Sequence, residues 1–439
     1  MTETTGAIGI DAGVASNGVP RPLTALVRVS RALLVLALAV ATVVSAVILS
    51  APAADAAKAD RATRAPRVHP ANRGPRIRRT NSAASATTAA TAATAARAPR
   101  TVSPTPTPLA PMAGTYGFDL TFDGLHRSYL LHVPPAASAG KPLPLVLNLH
   151  GATQNDWLEE ATSGMNSSAD QNGYLVAYPD GTRISKVLTP DPIAKQEQYG
   201  WNAGKCCGLP VTRHIDDVGF LLKVIADIAS RTPVDLRRVY VTGISNGGMM
   251  AYTMASKASD HIAAISSVSG QVELPTIHPT RPVPTMEFHS INDPIALWNG
   301  TPNRNPLLVL SVMEGIDQWV KADGCSPAPH DSPTIVGAAG SISSGETATL
   351  VTYTHCRGGA EVALWRFTGS GHVWPGSLLN TGPPSTWILA GVGRGIVLVN
   401  ADEAMWQFFQ RYSLPPGVPT PRVGRQRHSG GHRSADRTG

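Results

Sequence analysis

Apolar residues in the middle of the chain follow two alternating patterns. Nearly continuous apolar runs predict buried strands, and runs with apolar residues at helical spacing predict helices between them. The predicted strands cover residues 143–149, 174–178, 239–242, 262–268, 285–288 and 361–367. The predicted helices cover 218–229, 247–257 and 402–412, with Asp216 and Asp217 as the expected caps of the first. This alternation predicts an α/β fold with a mostly parallel sheet covered by helices on both faces.

The composition changes at both ends of this pattern. Residues 81–96 are nearly all Ala, Thr and Ser, and residues 101–111 alternate with proline. Such segments bury too little apolar surface to offset the entropy lost on ordering. We therefore expect residues 58–112 to be a disordered linker, 414–439 to be a similar tail, and 113–413 to form one domain.

The net charge of +7 is a property of these tails. The linker carries +9, the C-terminal tail carries +4 and the first 57 residues sum to zero, so the central domain carries about −6. A mildly acidic domain argues against a nucleic-acid-binding core.

The first 57 residues have the order of a secretory signal. Arg28 and Arg31 precede an apolar run over residues 32–49, and small residues follow at 54–56. The apolar run also approaches the length that spans a bilayer, so a retained N-terminal membrane anchor is the alternative. Either topology places the domain outside the cytoplasm, as a secreted or cell-envelope protein.

The four cysteines fit an oxidising compartment. Four cysteines allow three pairings, among which the sequence alone does not choose. We favour a bond between Cys325 and Cys356, with Cys206 and Cys207 either bonded to each other or reduced. These cysteines contain no C-x-x-C pair, which makes a metal site less favoured than a disulfide framework.

A candidate nucleophile lies in the pentapeptide Gly-Ile-Ser-Asn-Gly at residues 243–247. This G-x-S-x-G motif follows the predicted strand 239–242 and precedes the predicted helix 247–257, which is the context that a nucleophile turn requires. The glycines leave room for a sharp turn that raises Ser245 to the N-terminus of a helix. A structural glycine-rich turn is the alternative interpretation.

A serine hydroxyl needs a base, and the base needs an acid to orient it. His372 follows the predicted strand 361–367 in a Gly/Pro loop, and the other histidines fit this position less well. Asp293 follows the predicted strand 285–288, and an Asp-Pro turn is the alternative interpretation of this residue. The resulting order Ser245, Asp293, His372 is that of α/β-hydrolases.

Other site residues are assigned by position. The backbone N–H groups of Asn246 and of Ala152 or Thr153 are the expected oxyanion-hole donors, since they follow the nucleophile and an earlier strand. Trp374 and Trp201 are tentative residues of the substrate pocket, with core packing as the alternative for each. The chemistry requires no cofactor or metal, and no cluster of ligands suggests one.

Several sequence blocks occur together in one order: HGATQ at 150–154, YPDG at 178–181, WNAGKCCG at 201–208, DDVGF at 216–220, GISNGGM at 243–249 and GHVWPG at 371–376. This set resembles the polyhydroxybutyrate depolymerase family of esterases, which includes feruloyl and acetylxylan esterase-like proteins, over about residues 115–413. The resemblance implies a single α/β-hydrolase domain, the triad named above, and a secreted hydrolase of short acyl or hydroxyacyl esters. It also implies a bridge between Cys325 and Cys356.

The sequence departs from the family pattern in a few places. Relatives often carry His-Gly-x-x-Asp around the acid, whereas Ser290 stands here in place of the glycine. Long segments over 184–198 and 377–394 are expected near the site. No separate polymer-binding module is visible, which favours soluble oligomers or small esters as substrates.

The leading functional hypothesis is hydrolysis of carboxylic esters through an acyl-serine intermediate. One alternative is an acyltransferase that passes the acyl group to an envelope sugar or lipid. Another is a catalytically silent envelope-binding protein. Peptide hydrolysis is a weaker alternative, because the fold does not decide the leaving group.

Overall fold

The computed structural model of the protein describes residues 112–184, 198–301, 310–377 and 391–417. The expected signal or anchor, nearly all of the basic linker and nearly all of the C-terminal tail lie outside the described residues. Among the residues described, no helix has both the length and the apolar character needed to cross a membrane.

The described chain alternates strands and helices. The strands are β1 (Gly114–Phe122), β2 (Leu125–Val133), β3 (Leu143–Leu149), β4 (Leu175–Pro179), β5 (Thr182–Arg183), β6 (Tyr199–Gly200), β7 (Val234–Gly243), β8 (Ala264–Val268), β9 (Thr285–Ser290), β10 (His330–Asp331), β11 (Ile335–Val336), β12 (Thr347–Tyr353) and β13 (Val362–Thr368). The helices are α1 (Asp156–Ser163), α2 (Met165–Asn172), α3 (Gly208–Thr212), α4 (Asp217–Arg231), α5 (Asn246–Lys257), α6 (Val312–Asp323) and α7 (Ala401–Phe409).

One large sheet organises these elements, in the order β1-β2-β4-β3-β7-β8-β9-β13-β12-β10. The six strands from β4 to β13 in this order run parallel. The flanking strands β2 and β12 pair antiparallel to their inner neighbours. The predicted mostly parallel α/β sheet is therefore confirmed, and the carboxyl ends of β3, β7, β9 and β13 lie at the same edge.

Two apolar clusters cover the two faces of the sheet. Leu145 and Leu147 of β3 belong to one cluster, whereas Val146 between them belongs to the other. Because successive residues of a strand point to opposite faces, this division shows that both faces are buried. The long helix α4 packs into the first cluster and α7 into the second.

The hydrophobic pattern did not predict the outer strands. Exposed and half-buried residues alternate along β1, and β12 also mixes buried and half-buried residues. Such strands lack the continuous apolar run of a strand buried on both faces. The Asp123-Gly124 pair forms the tight turn between β1 and β2, with φ of 49° and 74°. An Asp-Gly pair is a known hairpin signal that could have located these strands.

The start of α4 corrects one expectation. Asp216 caps the helix as predicted, since its carboxylate accepts a hydrogen bond from the Gly219 N–H. Asp217 is instead buried and pairs with Arg127 of β2 at 2.9 Å. The same guanidinium donates to the carbonyl of Asp180 and lies 3.6 Å from the Phe220 ring centroid. Asp217 therefore anchors the helix to the sheet rather than capping it.

Both pairs of cysteines form disulfides in the structure. Cys325, just after α6, is bonded to Cys356, just after β12, as the family resemblance implies. Closing a loop of 31 residues stabilises the fold by about 3–4 kcal/mol in the chain-entropy description. Cys206 is bonded to Cys207, which is one of the two states left open by the sequence.

Candidate active site

Ser245 occupies a strained turn between β7 and α5. Its backbone has φ 55° and ψ −121°, a conformation that non-glycine residues rarely adopt. A Cβ at either Gly243 or Gly247 would collide with the carbonyl oxygen of Leu149, at the end of β3. Both glycines are therefore required by the close approach of β3 to the turn. The partly exposed serine lies directly before the N-terminus of α5, where helix N–H groups favour negative charge.

Asp293 and His372 meet at the edge of the sheet that carries Ser245. They follow the neighbouring parallel strands β9 and β13, and the Asp293 Oδ2 lies 2.8 Å from the His372 Nδ1. The other oxygen of Asp293 accepts hydrogen bonds from the N–H groups of Ile295 and Ala296, each at 2.8 Å. This arrangement leaves the Nε2 of His372 as the ring nitrogen that can serve a nucleophile.

The Asp293 carboxyl is buried yet favours its ionised form. Burial raises its pKa, but the charge and hydrogen bond of His372, the charge of His289 and the hydrogen bond from Ile295 outweigh burial, so the pKa lies below its usual value. An ionised carboxylate at the Nδ1 side fixes the tautomer of His372 and stabilises its protonated form.

A second chain segment holds the loop of His372. The His372 N–H donates to the Val392 carbonyl at 2.6 Å, and the Gly371 N–H donates to the Arg394 carbonyl at 2.7 Å. A Cβ on Gly371 would collide with the Val392 carbonyl oxygen. The glycine before the histidine is therefore needed for this close packing.

The loop after β3 lies against the nucleophile. A Cβ on Gly151 would be 3.4 Å from the Ser245 Cβ, which places this loop beside the serine. The Gly151 N–H donates to the side-chain oxygen of Gln154 at 2.7 Å, so the loop is held in place. The Thr153 N–H donates to the Tyr199 carbonyl at 2.7 Å and is therefore engaged elsewhere. Of the two N–H groups of this loop that were expected to form the oxyanion hole, that of Ala152 is therefore the better candidate.

His150 supports this loop as a neutral ring, a role that the sequence did not reveal. Its Nε2 accepts the Gly181 N–H at 2.9 Å, so the proton is on Nδ1, which donates to the Gly151 carbonyl at 2.7 Å. Burial lowers the pKa of His150 to about 4, and the charge of Arg127 adds to this effect.

The side chain of Asn246 has a function that its position did not predict. Its Oδ1 accepts the Trp201 N–H at 2.7 Å, and its Nδ2 donates to the Trp201 carbonyl at 3.3 Å. The residue after the nucleophile thus ties the Trp-Asn-Ala-Gly-Lys-Cys-Cys-Gly block to the base of the turn. In the sequence, the only indication of this contact is that the blocks at 201–208 and 243–249 occur together.

Neither tryptophan expected in the pocket lies on an accessible surface. Trp201 is 0% exposed, and its indole N–H donates to the His150 carbonyl at 3.0 Å. Trp374 is 4% exposed, and its indole N–H donates to the Asp402 carboxylate at 2.9 Å. Both belong to the packing beneath the site, which corrects their tentative assignment as pocket-lining residues.

Within the described residues, no group of three or more His, Cys, Asp or Glu side chains is arranged to hold a metal ion.

Residues 127–306 match the family described as Esterase PHB depolymerase. This range includes Ser245 and Asp293, and His372 lies beyond it. A "Putative esterase NocK" of Nocardia uniformis subsp. tsuyamanensis is 28% identical over 289 residues, which cover 62% of this chain and 78% of that protein.

The names of two further relatives include a substrate. "Feruloyl esterase B" of Piromyces equi is 26% identical over 56% of this chain and 42% of that protein. "Poly(3-hydroxyalkanoate) depolymerase C" of Paucimonas lemoignei is 24% identical over 56% of this chain and 58% of that protein. The chain thus spans about half the length of these two relatives.

Among solved structures, an acetyl xylan esterase from Aspergillus awamori shares 16% identity, with a TM-score of 0.39 over 59% of this chain and 94% of that one. The strand order, the motif blocks and the family match agree with one another. Residues 127–306 therefore match the esterase PHB depolymerase family, and the chain is similar to carboxylic ester hydrolases of the serine esterase type with the α/β-hydrolase fold.

Proposed function

We propose that this chain is an exported serine esterase whose nucleophile, base and acid are Ser245, His372 and Asp293. The observation that carries the proposal is the 2.8 Å hydrogen bond between Asp293 and His372 at the sheet edge that also presents the strained Ser245 turn. Strain of this kind is retained where the surrounding structure imposes it, and it is typical of nucleophile turns.

The reaction proceeds in two steps. His372 Nε2 takes the proton of Ser245 as the Oγ attacks the ester carbonyl carbon, and Asp293 stabilises the imidazolium that forms. The N–H groups of Asn246 and Ala152 stabilise the oxyanion, and the proton passes from His372 to the departing alcohol. Water, deprotonated by His372, then attacks the acyl-serine, and His372 returns this proton to the departing Ser245 Oγ as the acid is released.

The substrates proposed are short acyl esters, hydroxyalkanoate oligomers or feruloyl and acetyl esters. The feruloyl esterase and poly(3-hydroxyalkanoate) depolymerase among the relatives, together with a bifunctional acetylxylan esterase/xylanase of Neocallimastix patriciarum, support these classes. Ile291 and Leu297 flank Asp293 in the chain and are 43% and 38% exposed, so they offer apolar surface beside the site for an acyl group.

Export is supported by two features. The chain has arginines before an apolar run near its N-terminus, and both disulfides of the described domain suit an oxidising compartment. Retention by the same apolar run as a membrane anchor remains the alternative topology. Residues 113–413 form the catalytic domain in this proposal, between a linker and a tail.

The test is hydrolysis of p-nitrophenyl esters from acetate to octanoate by the full-length protein and by Ser245→Ala. We expect activity on short chains and a loss of about 10⁴-fold or more in kcat for the variant. Ester hydrolysis that persists in a folded Ser245→Ala protein would refute the proposed nucleophile. A folded wild type that hydrolyses no ester would refute the esterase activity.

A further inference from the structure

A second histidine lies behind the Asp293 carboxylate, fully buried on β9. Its Nδ1 is 2.8 Å from the Glu287 Oε1, and its Nε2 is 2.8 Å from the Ala296 carbonyl. The same Nε2 is 3.9 Å from the Asp293 Oδ2, on which His372 also depends. This residue, His289, and its partner Glu287 take no part in the two-step reaction above.

The contacts of His289 indicate its protonation state. The Ala296 carbonyl can only accept, so Nε2 carries a proton. Glu287 lies at the other nitrogen, and its second oxygen accepts the Tyr252 hydroxyl at 3.0 Å. If Glu287 is ionised, both ring nitrogens donate and the ring is an imidazolium.

Two opposing effects decide the charge of this pair. Burial raises the pKa of Glu287 and works against an ion pair, but hydrogen bonds from His289, Ser267 and Tyr252 stabilise the carboxylate. For His289, burial lowers the pKa, but the hydrogen bond and charge of Glu287 and the charge of Asp293 outweigh it and raise the pKa. The carboxylates on two sides of one ring favour the charged pair.

We propose that His289 is a positioning residue of the active site, held as an imidazolium by Glu287 so that a buried positive charge lies behind Asp293. The inference rests on the proposed function, because it concerns the same Asp293–His372 pair. Its chemistry is electrostatic, and no covalent step is involved.

His289 acts on Asp293 in two ways. Its bond to the Ala296 carbonyl fixes the turn whose N–H groups, from Ile295 and Ala296, hold the Asp293 Oδ1. Its charge also stabilises the ionised Asp293 and offsets part of the negative charge that His372 experiences. Without the charge of His289, the negative charge of Asp293 beside His372 would be uncompensated on that side.

Several groups of the described residues face the pair formed by Glu287 and His289. Tyr252 approaches from α5, the neutral Ser267 from β8, and Asp293 from the loop after β9, with His372 beyond it. The rings of Trp298 and His289 are in a T-shaped arrangement, with their centroids 6.0 Å apart. On the neighbouring strand β13, Arg366 is in register with His289, and its guanidinium pairs with Asp331 at 3.4 Å.

The first test is the pH profile of kcat/KM for the full-length protein. His289→Gln retains an N–H donor for the Ala296 carbonyl but removes the charge. We expect the acid limb to move to higher pH by about half a unit to one unit. A purely structural role would lower activity equally at every pH and leave the limb in place.

Glu287→Gln is the second variant, and it leaves the imidazole ring in place. A buried imidazole without its counter-ion loses its proton, so the acid limb should move in the same direction. His132→Gln is the control, because His132 also pairs with a carboxylate, Asp170, but lies on β2 at the other side of the sheet. The control profile should coincide with wild type, and acid limbs unchanged in both test variants would overturn the proposal.

A third test measures the protonation of His289 directly and does not depend on enzymatic activity. In ¹⁵N-histidine NMR spectra of the full-length Ser245→Ala protein at neutral pH, both ring nitrogens of His289 should show the shifts of protonated nitrogens. The signal is assigned by its loss in a Ser245→Ala/His289→Gln protein. One unprotonated nitrogen at His289 would overturn the proposal, even where the esterase activity is established. If the wild-type protein hydrolyses no ester, the proposed function is refuted. The NMR spectrum still determines whether the His289 ring is charged.

Discussion

The two halves of the candidate site are held by different forces. The nucleophile side, formed by the loop after β3 and the turn after β7, depends on steric fit and on neutral hydrogen bonds through His150 and Asn246. The acid–base side, formed after β9 and β13, depends on charged groups that contact one another, with Asp293 in the centre. The nucleophile turn should therefore respond most to added volume, and the acid–base side should respond most to changes of charge.

The largest effect is expected on the acid–base side. Asp293→Asn keeps the size of the side chain but removes the charge that orients His372, and kcat should fall about 10³–10⁴-fold. Steady-state hydrolysis of p-nitrophenyl acetate measures this loss. Asp331→Asn, at an exposed position of β10, is the matched control and should retain wild-type kcat. A loss below tenfold in Asp293→Asn would show that another group orients the base.

A single methyl group should disable the nucleophile side. Gly247→Ala places a Cβ against the Leu149 carbonyl oxygen, so β3 and the turn must separate. Because small displacements of a nucleophile are costly, we expect kcat/KM to fall at least about a hundredfold. Gly117→Ala on β1 is the control, since its Cβ would make only an ordinary contact with Leu130. Near-normal kcat/KM in Gly247→Ala would contradict the steric account.

The neutral His150 predicts a loss of stability in acid. Its folded pKa of about 4 lies below the value of about 6.5 in the unfolded chain, so the unfolded state binds a proton first as the pH falls. Stability should therefore fall by about 3 kcal/mol between pH 6.5 and pH 4 from this group alone.

His150→Gln tests this slope, because an amide oxygen can still accept the Gly181 N–H without titrating. Urea unfolding of both proteins across this pH range measures the difference. The variant should be less sensitive to acid than wild type by about 2–3 kcal/mol. Parallel curves for the two proteins would show that His150 is not neutral in the folded state.

The smallest effect is expected at Asn246. Asn246→Ala removes the partner of the Trp201 N–H, which is buried, and should destabilise the fold by about 1–3 kcal/mol. The backbone N–H of residue 246 is retained, so kcat should change less than the thermal midpoint implies. Thermal unfolding and kcat measured on the same samples test this. A large loss of kcat with an unchanged midpoint would assign the side chain to the reaction itself.

The sequence was most informative for those elements whose structure is determined by residues that are close together in the chain. Strands buried on both faces, such as β3 and β9, appear in the sequence as apolar runs. The two glycines that flank Ser245 at a distance of two residues predict its sharp turn. The carboxyl ends of the parallel strands β9 and β13 then place Asp293 and His372 at one edge by topology alone. The resemblance to the esterase family rested on the same blocks, and the family match confirms it.

The sequence was least informative where long-range packing decides. Nothing local distinguishes Asp216, which caps α4, from Asp217, which pairs with Arg127 across the fold. The burial of Trp201 and Trp374 depends on partners distant in the chain. Likewise, two histidines next to strand ends have opposite charge preferences, since His150 faces an N–H donor whereas His289 faces a carbonyl and a carboxylate.

The most direct test of the central claim is covalent labelling by a fluorophosphonate probe, followed by peptide mapping. A phosphonylated serine forms only where a serine is activated by a neighbouring base. We predict that the label is found on Ser245, that Ser245→Ala is not labelled, and that Asp293→Asn is labelled much more slowly. A label on another serine, or an unlabelled Ser245 in the folded wild-type protein, would contradict the account.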